Sequence, residues 1–132
     1  MMYNNKHNEM KAEAIEAIME VLEDGYSGYY CDLHNEVFNT DWYIIGTEMA
    51  KDALREYDVF EAIELVQTYE KDNFGEVYTD LSNPEKLINM VYYIIGDEVI
   101  SELGDMDAFW DNWAATDEIN AKIVEEMKRK YY

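Results

Sequence analysis

Two side chains capable of metal binding or nucleophilic catalysis lie three residues apart. Cys31 and His34 have C-x-x-H spacing, and Glu36 and Asp41 follow them. A zinc site needs three or four protein ligands, and the only other histidine, His7, lies close to the N-terminus. Catalysis by the thiol would need His34 as its base, but no cysteine-hydrolase signature surrounds the pair. We therefore expect a structural histidine and no metal or other cofactor here.

A second group of carboxylates is similar to a calcium loop. Asp105, Asp107 and Asp111 follow one another at short spacing. An EF-hand requires a ligand at its fifth position and glycine at its sixth. Phe109 and Trp110 occupy those positions, so the spacing excludes this class of calcium site.

A third group, Asp41, Glu48 and Lys51, is loosely similar to the carboxylate–lysine set of nucleases. Such sets usually lie on strands. A nuclease would also have to attract a polyanion to a chain whose formal net charge is −20. No glycine-rich phosphate loop is present. We therefore interpret the protein as non-enzymatic.

The distribution of charge is the most informative feature of the chain. The chain has thirty acidic residues and ten basic ones. Residues 12–50 and 87–121 contain no lysine or arginine. Such a surface opposes direct binding to nucleic acid or to an anionic membrane, and its self-repulsion lowers stability. Solubility alone requires much less charge. Two interpretations remain: the anionic surface binds a partner, or its acidity is incidental.

Two sets of acidic residues are candidates for partner binding. The first set lies at spacings of three and four on one helix face, where an ordinary solvated face is the alternative: Glu13, Glu16, Glu20 and Glu23. The second set has Trp110 and Trp113 within it as apolar anchors: Asp97, Glu98, Glu102, Asp105, Asp107, Asp111, Asp117 and Glu118. Helical acids at this spacing lie about 5–6 Å apart. Because duplex DNA carries about one charge per 1.7 Å, two or three such helices could imitate its charge density.

The elements that would position these residues are predicted to be helices. The chain has 48% apolar residues, one proline and six glycines, which predicts one acidic all-α domain over residues 1–132. Residues 87–95 are apolar except for Asn89. Asn83 before Pro84 predicts the start of a helix that runs to about Leu103. This helix is the predicted buried centre of a compact bundle of about five to six helices. Residues 74–81 lose the helical period and predict a loop or a short extended hairpin.

Capping residues predict the other helices. Asn8 begins a first helix that ends near Gly25, and a short helix follows Cys31. The later helices are predicted to start at Thr40 or Asp41, at Asp58, at Asp105 and at Thr116. A strand at residues 42–45 is the alternative to the helix that starts at Thr40 or Asp41. Helical spacing predicts these inward positions, by helix: Met10, Ala14, Ala17, Ile18, Val21, Leu22; Trp42, Ile45, Met49, Ala53, Leu54; Val59, Phe60, Ile63, Val66, Tyr69; Ile119, Ile123, Val124, Met127.

Two short stretches are nearly identical in sequence. Residues 42–48 read WYIIGTE and residues 92–98 read YYIIGDE. The pattern suggests an internal duplication, although the flanking residues match poorly.

One longer stretch carries a resemblance to a known group of proteins. The run LHNEVFNTDWYIIG at residues 33–46 resembles a pattern in small uncharacterised bacteriophage and prophage proteins, and residues 69–76 and 89–98 are similar too. The resemblance implies a phage or mobile-element setting and brings no catalytic residues. In acidity and helical character the chain also resembles anti-restriction and anti-CRISPR proteins that mimic DNA.

These observations predict an inhibitor that occupies the DNA- or RNA-binding surface of a host defence protein, such as a CRISPR effector or restriction enzyme. A non-mimic interaction module is the alternative. The single Cys31 and the absence of an apolar span or signal region predict a soluble protein of the host cytoplasm. A homodimer would extend the acidic surface, but no heptad pattern requires one.

Overall fold

The computed structural model describes residues 5–38, 46–103 and 114–132. In this part of the chain the fold is all-α, as predicted. Its helices are α1 (Asn5–Glu23), α2 (Leu33–Phe38), α3 (Thr47–Tyr57), α4 (Val59–Phe74), α5 (Pro84–Leu103) and α6 (Asp117–Tyr131), with a 3-10 helix (Tyr30–Asp32) directly before α2. Extended pairing among the described residues is limited to one isolated antiparallel bridge, between Tyr29 and Ala114.

Side-chain caps begin three of the helices at the predicted residues. Asp58, Asn83 and Thr116 each accept a hydrogen bond, 2.9–3.2 Å long, from a backbone N–H two or three residues later. These bonds satisfy N–H groups that have no partner within the helix. The prediction for Asn8 was wrong, because α1 begins at Asn5 and Asn8 lies inside it.

The region after α4 contains no hairpin. Phe74 is still helical, and residues 75–83 form bends and turns that lead into α5. Three other sequence-based interpretations lie outside the described residues: the cap at Thr40 or Asp41, the strand at residues 42–45 and the short helix after Asp105.

The described residues form two compact units. Unit A comprises residues 5–10 and 46–95, and unit B comprises residues 11–38, 96–103 and 114–132. Unit A is centred on the first part of α5, where Leu87, Ile88 and Val91 are almost fully buried. In unit B the largest buried side chains include Phe38, Leu103 and Met127. The prediction of a single domain over residues 1–132 stays a prediction.

Three large apolar side chains do not face inward as the spacing predicted. Met49, Val59 and Phe60 are 64%, 40% and 78% exposed. Helix α4 buries Val66 as predicted, together with Ala62 and Glu70, in a row with a spacing of four residues. Tertiary packing thus overrides the hydrophobicity of single positions.

The two Ile-Ile-Gly stretches have different structural roles. Gly46 precedes the first turn of α3 in extended geometry, and a Cβ there would meet nothing within 4 Å. Gly96 is buried inside α5, where a Cβ would lie 2.8 Å from the ring of Phe38. The shared glycine therefore reflects a helix start in one stretch and close packing in the other.

We expect Gly96→Ala to destabilise the fold despite the higher helix propensity of alanine. The added methyl must displace the buried Phe38 ring, and such overpacking costs about 1–3 kcal/mol, against a gain of about 1 kcal/mol in helix propensity. Urea unfolding of Gly96→Ala beside Gly46→Ala measures the difference. In a Phe38→Leu background the same Gly96→Ala change should become neutral or stabilising. An equal loss in both backgrounds would contradict the close contact.

Candidate functional site

The acidic face predicted for the first helix is present on α1. Glu13, Glu16, Glu20 and Glu23 are all exposed. Glu23 lies 3.8 Å from the Nζ of Lys128 on α6, whereas neither Glu16 nor Glu20 forms an ion pair with a described residue. Like charges four residues apart repel each other on a helix. The face is therefore anionic, and repulsion between its carboxylates lowers the stability of α1.

This row of carboxylates continues past the end of α1. Gly25 has a φ of 98° and ends the helix as predicted, with hydrogen bonds from Tyr26 N to Val21 O and from Gly25 N to Leu22 O, each 3.3 Å long. The pattern is a Schellman motif. Asp24 therefore lies at the negative end of the helix dipole, where another negative charge is unfavourable.

A cleft with acidic walls opens at this helix end. Its volume is about 550 Å³, and its carboxylates are Asp24 from the end of α1, Asp32 from the 3-10 helix and Glu36 from α2. Val21 and residues 25–28 form the remaining wall. Converging carboxylates in a concave site can accept hydrogen bonds from an arginine or lysine side chain.

Tyr26 is packed tightly into the wall of this cleft. Its hydroxyl donates to the carbonyl of Tyr29, and a Cβ at Gly28 would lie 2.7 Å from the same hydroxyl oxygen. Burial raises the pKa of Tyr26, and the nearby charges of Asp32 and Glu36 raise it further. The direction of this shift is consistent with a negative potential in the cleft.

A buried asparagine holds the loop that lines the cleft. Asn120 of α6 is 2% exposed; its Nδ2 donates to the carbonyl of Tyr26 over 2.8 Å, and its Oδ1 accepts from the hydroxyl of Tyr30 over 2.6 Å. The backbone N–H of Ala115 also donates to the carbonyl of Gly28 over 2.8 Å. The start of α6 therefore fixes the cleft loop.

A second cleft, of about 600 Å³, shares Asp24 and Gly25 with the first. It also contains Glu23, Asp117 and Lys128. The structure thus brings together Glu23 and Asp117, which the sequence placed in separate sets. The combined surface is called the α1 acidic surface and consists of Glu16, Glu20, Glu23, Asp24, Asp32, Glu36 and Asp117.

Two other predicted binding residues, Glu98 and Glu102, form ion pairs with Lys11 of α1. Lys11 Nζ lies 2.7 Å from Glu102 and 3.9 Å from Glu98, and the hydroxyl of Tyr131 donates to Glu102 over 2.5 Å. Burial acts to raise the pKa of Glu102, but the hydrogen bonds from Lys11 and Tyr131 outweigh it and lower that pKa. Glu102 is therefore a partly buried link between helices, and its charge is compensated.

The remaining predicted residues are divided between exposed positions and the undescribed region. Glu118 lies 3.8 Å from Lys122 on the surface of α6, and Asp97 is half-buried. The other five lie outside the described residues: Asp105, Asp107, Asp111, Trp110 and Trp113.

Of the groups considered for catalysis, Asp41 lies outside the described residues. Cys31 is exposed, and the His34 ring packs against Phe38 with centroids 5.1 Å apart. Over residues 5–38, 46–103 and 114–132, no group of three or more histidine, cysteine, aspartate or glutamate side chains could hold a metal ion. Among the same residues no helix is long and apolar enough to cross a membrane.

Comparisons of the chain with protein-family models, with curated proteins and with solved structures give no significant match.

Sequence reasoning missed Asp24, Asp32, Glu36 and Asn120 as parts of the site. A spacing of four from Glu16 through Glu20 to Asp24 was visible in the sequence and could have extended the first set. The other three residues join the site only through tertiary packing, since Asn120 contacts residues about ninety positions earlier.

The buried hydroxyl of Tyr30 predicts a loss of stability at alkaline pH. Burial raises the pKa of Tyr30 to about 12, and a backbone hydrogen bond from Thr116 opposes this shift in part. The usual tyrosine pKa is about 10. The stabilisation from neutral Tyr30 should therefore be complete below pH of about 10 and disappear as the pH rises towards about 12.

Urea unfolding across this alkaline range measures the loss of Tyr30-dependent stability. Tyr30→Phe should be less stable at neutral pH, because it leaves the Oδ1 of Asn120 without that donor, but should lose less stability as the pH rises. Burial and Glu102 also raise the pKa of Tyr131, so part of the alkaline loss should persist in the variant. Parallel pH profiles of wild type and Tyr30→Phe would contradict the role of Tyr30.

Proposed function

We propose that the protein is a non-enzymatic inhibitor that occupies the nucleic-acid-binding surface of a host defence protein. The α1 acidic surface would take the place of the phosphate backbone, and arginine or lysine side chains of the target would bind to it. The proposed targets are a CRISPR effector or a restriction enzyme in the cytoplasm of the host cell.

The observation that carries the proposal is the row Glu16, Glu20 and Asp24. These carboxylates have no ion pairs with described residues, and their row leads directly to Asp32 and Glu36 in the first cleft. Residues four apart on a helix are about 6 Å apart along its axis. A basic groove that binds regularly spaced phosphates would therefore meet a similar row of negative charges.

The stability cost of this arrangement also supports a functional role. Repulsion along α1 and the position of Asp24 at the negative helix end both weaken the fold. A surface that is anionic only for solubility could avoid this loss of stability, because its acidic residues could lie beside basic residues or at the starts of helices. A phage or mobile-element setting for such an inhibitor is part of the proposal, and it is what the resemblance of residues 33–46 implies.

A non-mimic interaction module remains a second candidate because unit A exposes large apolar side chains. Phe60 is 78% exposed and Met49 is 64% exposed. Exposed apolar and aromatic side chains are typical anchors of protein interfaces. In this alternative the acidity is incidental, and binding would depend little on salt.

Capture of partners from a bacterial lysate distinguishes the two candidates. The tagged full-length protein is washed at low and at high salt, and the retained proteins are identified by mass spectrometry. Mimicry predicts a nucleic-acid-binding defence protein that is released as salt rises, because screening weakens the attraction between the charged surfaces. A partner that binds no nucleic acid and survives high salt would favour the interaction module.

A further inference from the structure

Residues 72–80 in unit A alternate exposed carboxylates with exposed aromatic rings. Asp72, Phe74, Glu76, Tyr78 and Asp80 follow one another at every second position, and all five are exposed. Phe74 is 51% and Tyr78 is 67% exposed. Neither Asp72 nor Glu76 forms an ion pair with a described residue. These five residues are called the acidic–aromatic segment.

A buried carboxylate fixes the backbone of this segment. Glu70 is 3% exposed and accepts two hydrogen bonds from Thr79, one from the backbone N–H (3.0 Å) and one from the hydroxyl (3.1 Å). Burial of a carboxylate is costly unless hydrogen bonds compensate it. Because Thr79 lies between Tyr78 and Asp80, the hydrogen bonds that it donates to Glu70 restrain the backbone at both of these exposed residues.

The aromatic rings of the segment continue an ordered row of rings. Tyr93 contacts Tyr69 with centroids 6.5 Å apart, Tyr69 contacts Phe74 at 6.1 Å, and Phe74 contacts Tyr78 at 6.2 Å. The interplanar angles of 66–82° indicate edge-to-face packing. Rings held in this way lose little conformational freedom on binding, which favours affinity.

A groove of about 510 Å³ lies beside Tyr78. Met90 and Tyr93 of α5 form apolar parts of its wall, and Asp80 and Lys86 also line it. Hydrogen bonds from Ser82 lower the pKa of Asp80, and the charge of Lys86 lowers it further. Lys86 therefore offsets Asp80, while Asp72 and Glu76 leave the segment with a net negative charge.

We propose that the acidic–aromatic segment binds arginine side chains of a partner protein. Guanidinium groups would lie against the rings of Phe74 and Tyr78 and form hydrogen bonds with the carboxylate of Glu76. Asp72 lies two residues before Phe74 on α4 and would add to the negative potential. Arginine fits both features, because its planar group stacks on aromatic faces and donates two parallel bonds to a carboxylate. The proposal concerns unit A alone and does not rest on mimicry of nucleic acid by the α1 acidic surface.

Charge complementarity favours a basic partner protein over a second copy of the chain as the molecule that binds this segment. Each copy has a formal charge of −20, and two such segments facing each other would place carboxylates against carboxylates. A wholly apolar peptide would leave the interleaved carboxylates beside it without donors. A partner with arginine side chains can both stack on the rings and donate hydrogen bonds to the carboxylates.

The test compares an arginine peptide with a lysine peptide of equal charge. Acetyl-Gly-Arg-Gly-Arg-Gly-amide and its lysine counterpart are titrated into the full-length protein, and NMR follows the side chains of Phe74 and Tyr78 and the amide of Thr79. The background is Glu16→Gln, Glu20→Gln, Asp24→Asn, so that binding to the α1 acidic surface is reduced. We expect saturable shifts at the segment and about threefold or more tighter binding of the arginine peptide.

The variant Phe74→Leu, Tyr78→Leu should remove this preference for arginine, and Phe60→Leu is the matched control because Phe60 is exposed outside the segment. Equal binding of the two peptides, shifts centred elsewhere, or an unchanged preference in the double variant would each overturn the proposal. A concentration-dependent dimer that the double variant dissociates would also overturn it, in favour of self-association.

Discussion

Replacement of Glu16, Glu20 and Asp24 by glutamine, glutamine and asparagine should make the protein more stable and less able to bind its target. The three changes remove repulsion between carboxylates four residues apart, worth about 0.2–0.5 kcal/mol per pair. They also remove a negative charge from the carboxyl end of α1, worth about 0.3–1 kcal/mol. The free energy of unfolding should therefore rise by about 1 kcal/mol.

Binding should change in the opposite direction. If these carboxylates accept basic side chains of the target, their amides lose the electrostatic attraction and we expect affinity for the captured target to fall about tenfold or more at low salt. Urea unfolding and titration calorimetry measure the two effects on the same preparation. The salt dependence of the remaining binding should also be weaker.

A variant with the same change in charge controls for net charge alone. Glu48→Gln, Asp52→Asn and Glu64→Gln neutralise three exposed acids of unit A, two of which are paired with Lys51 and Arg55. The control should retain nearly full affinity and gain no stability. Equal loss of affinity in both variants would indicate a general charge effect and would contradict a specific acidic surface.

Replacement of Asn120 by alanine should destabilise the protein strongly, because two buried hydrogen bonds depend on its side chain. The change removes the donor to Tyr26 O and the acceptor for the hydroxyl of Tyr30. Each buried polar group left without a partner costs about 1–3 kcal/mol. We expect the free energy of unfolding to fall by about 2–4 kcal/mol, with loss of order in the loop that lines the first cleft.

Asn73→Ala is the matched control for this effect. Asn73 is exposed, and its Nδ2 also donates to a backbone carbonyl, that of Tyr69, over 2.8 Å. Because water can replace that bond, its loss should cost less than about 1 kcal/mol. Hydrogen exchange of the amides at residues 26–30 should accelerate in Asn120→Ala and remain unchanged in Asn73→Ala. Similar losses of stability in the two variants would contradict the role of Asn120.

Local signals in the sequence predicted much of the helical framework. Asp58, Asn83 and Thr116 act as caps, and Gly25 ends α1. Each of these roles depends on hydrogen bonds or dihedral angles within a few residues, so residue type alone is informative. The long apolar run of α5 likewise specified a buried helix from Pro84 to Leu103.

Features that depend on distant contacts could not be predicted. The exposure of Phe60 arises because α4 turns Ala62, Val66 and Glu70 inward. Asn120 and Glu102 have polar side chains that appear ordinary in the sequence, yet each bonds residues far away in the chain. The first cleft exists only because the loop after α1 packs against the start of α6. The hydrophobic periodicity of the sequence does not indicate that contact.

The aromatic anchors predicted at Trp110 and Trp113 have a counterpart elsewhere in the chain. Unit A exposes Phe74 and Tyr78 between carboxylates, and the hydrogen bonds from Thr79 to the buried Glu70 fix the backbone next to Tyr78. An acidic protein that binds a basic partner gains specificity when apolar contacts accompany the charges. The acidic–aromatic segment combines both kinds of contact within nine residues.

Displacement of nucleic acid tests the mimicry proposal most directly. The captured defence protein is first bound to its fluorescently labelled DNA or RNA, and the inhibitor is then titrated in while anisotropy reports the bound fraction. Mimicry predicts that the inhibitor releases the nucleic acid fully and competitively at low salt. The Glu16→Gln, Glu20→Gln, Asp24→Asn variant should require a concentration that is higher by about tenfold or more. A ternary complex in which the target holds both the nucleic acid and the inhibitor would contradict mimicry.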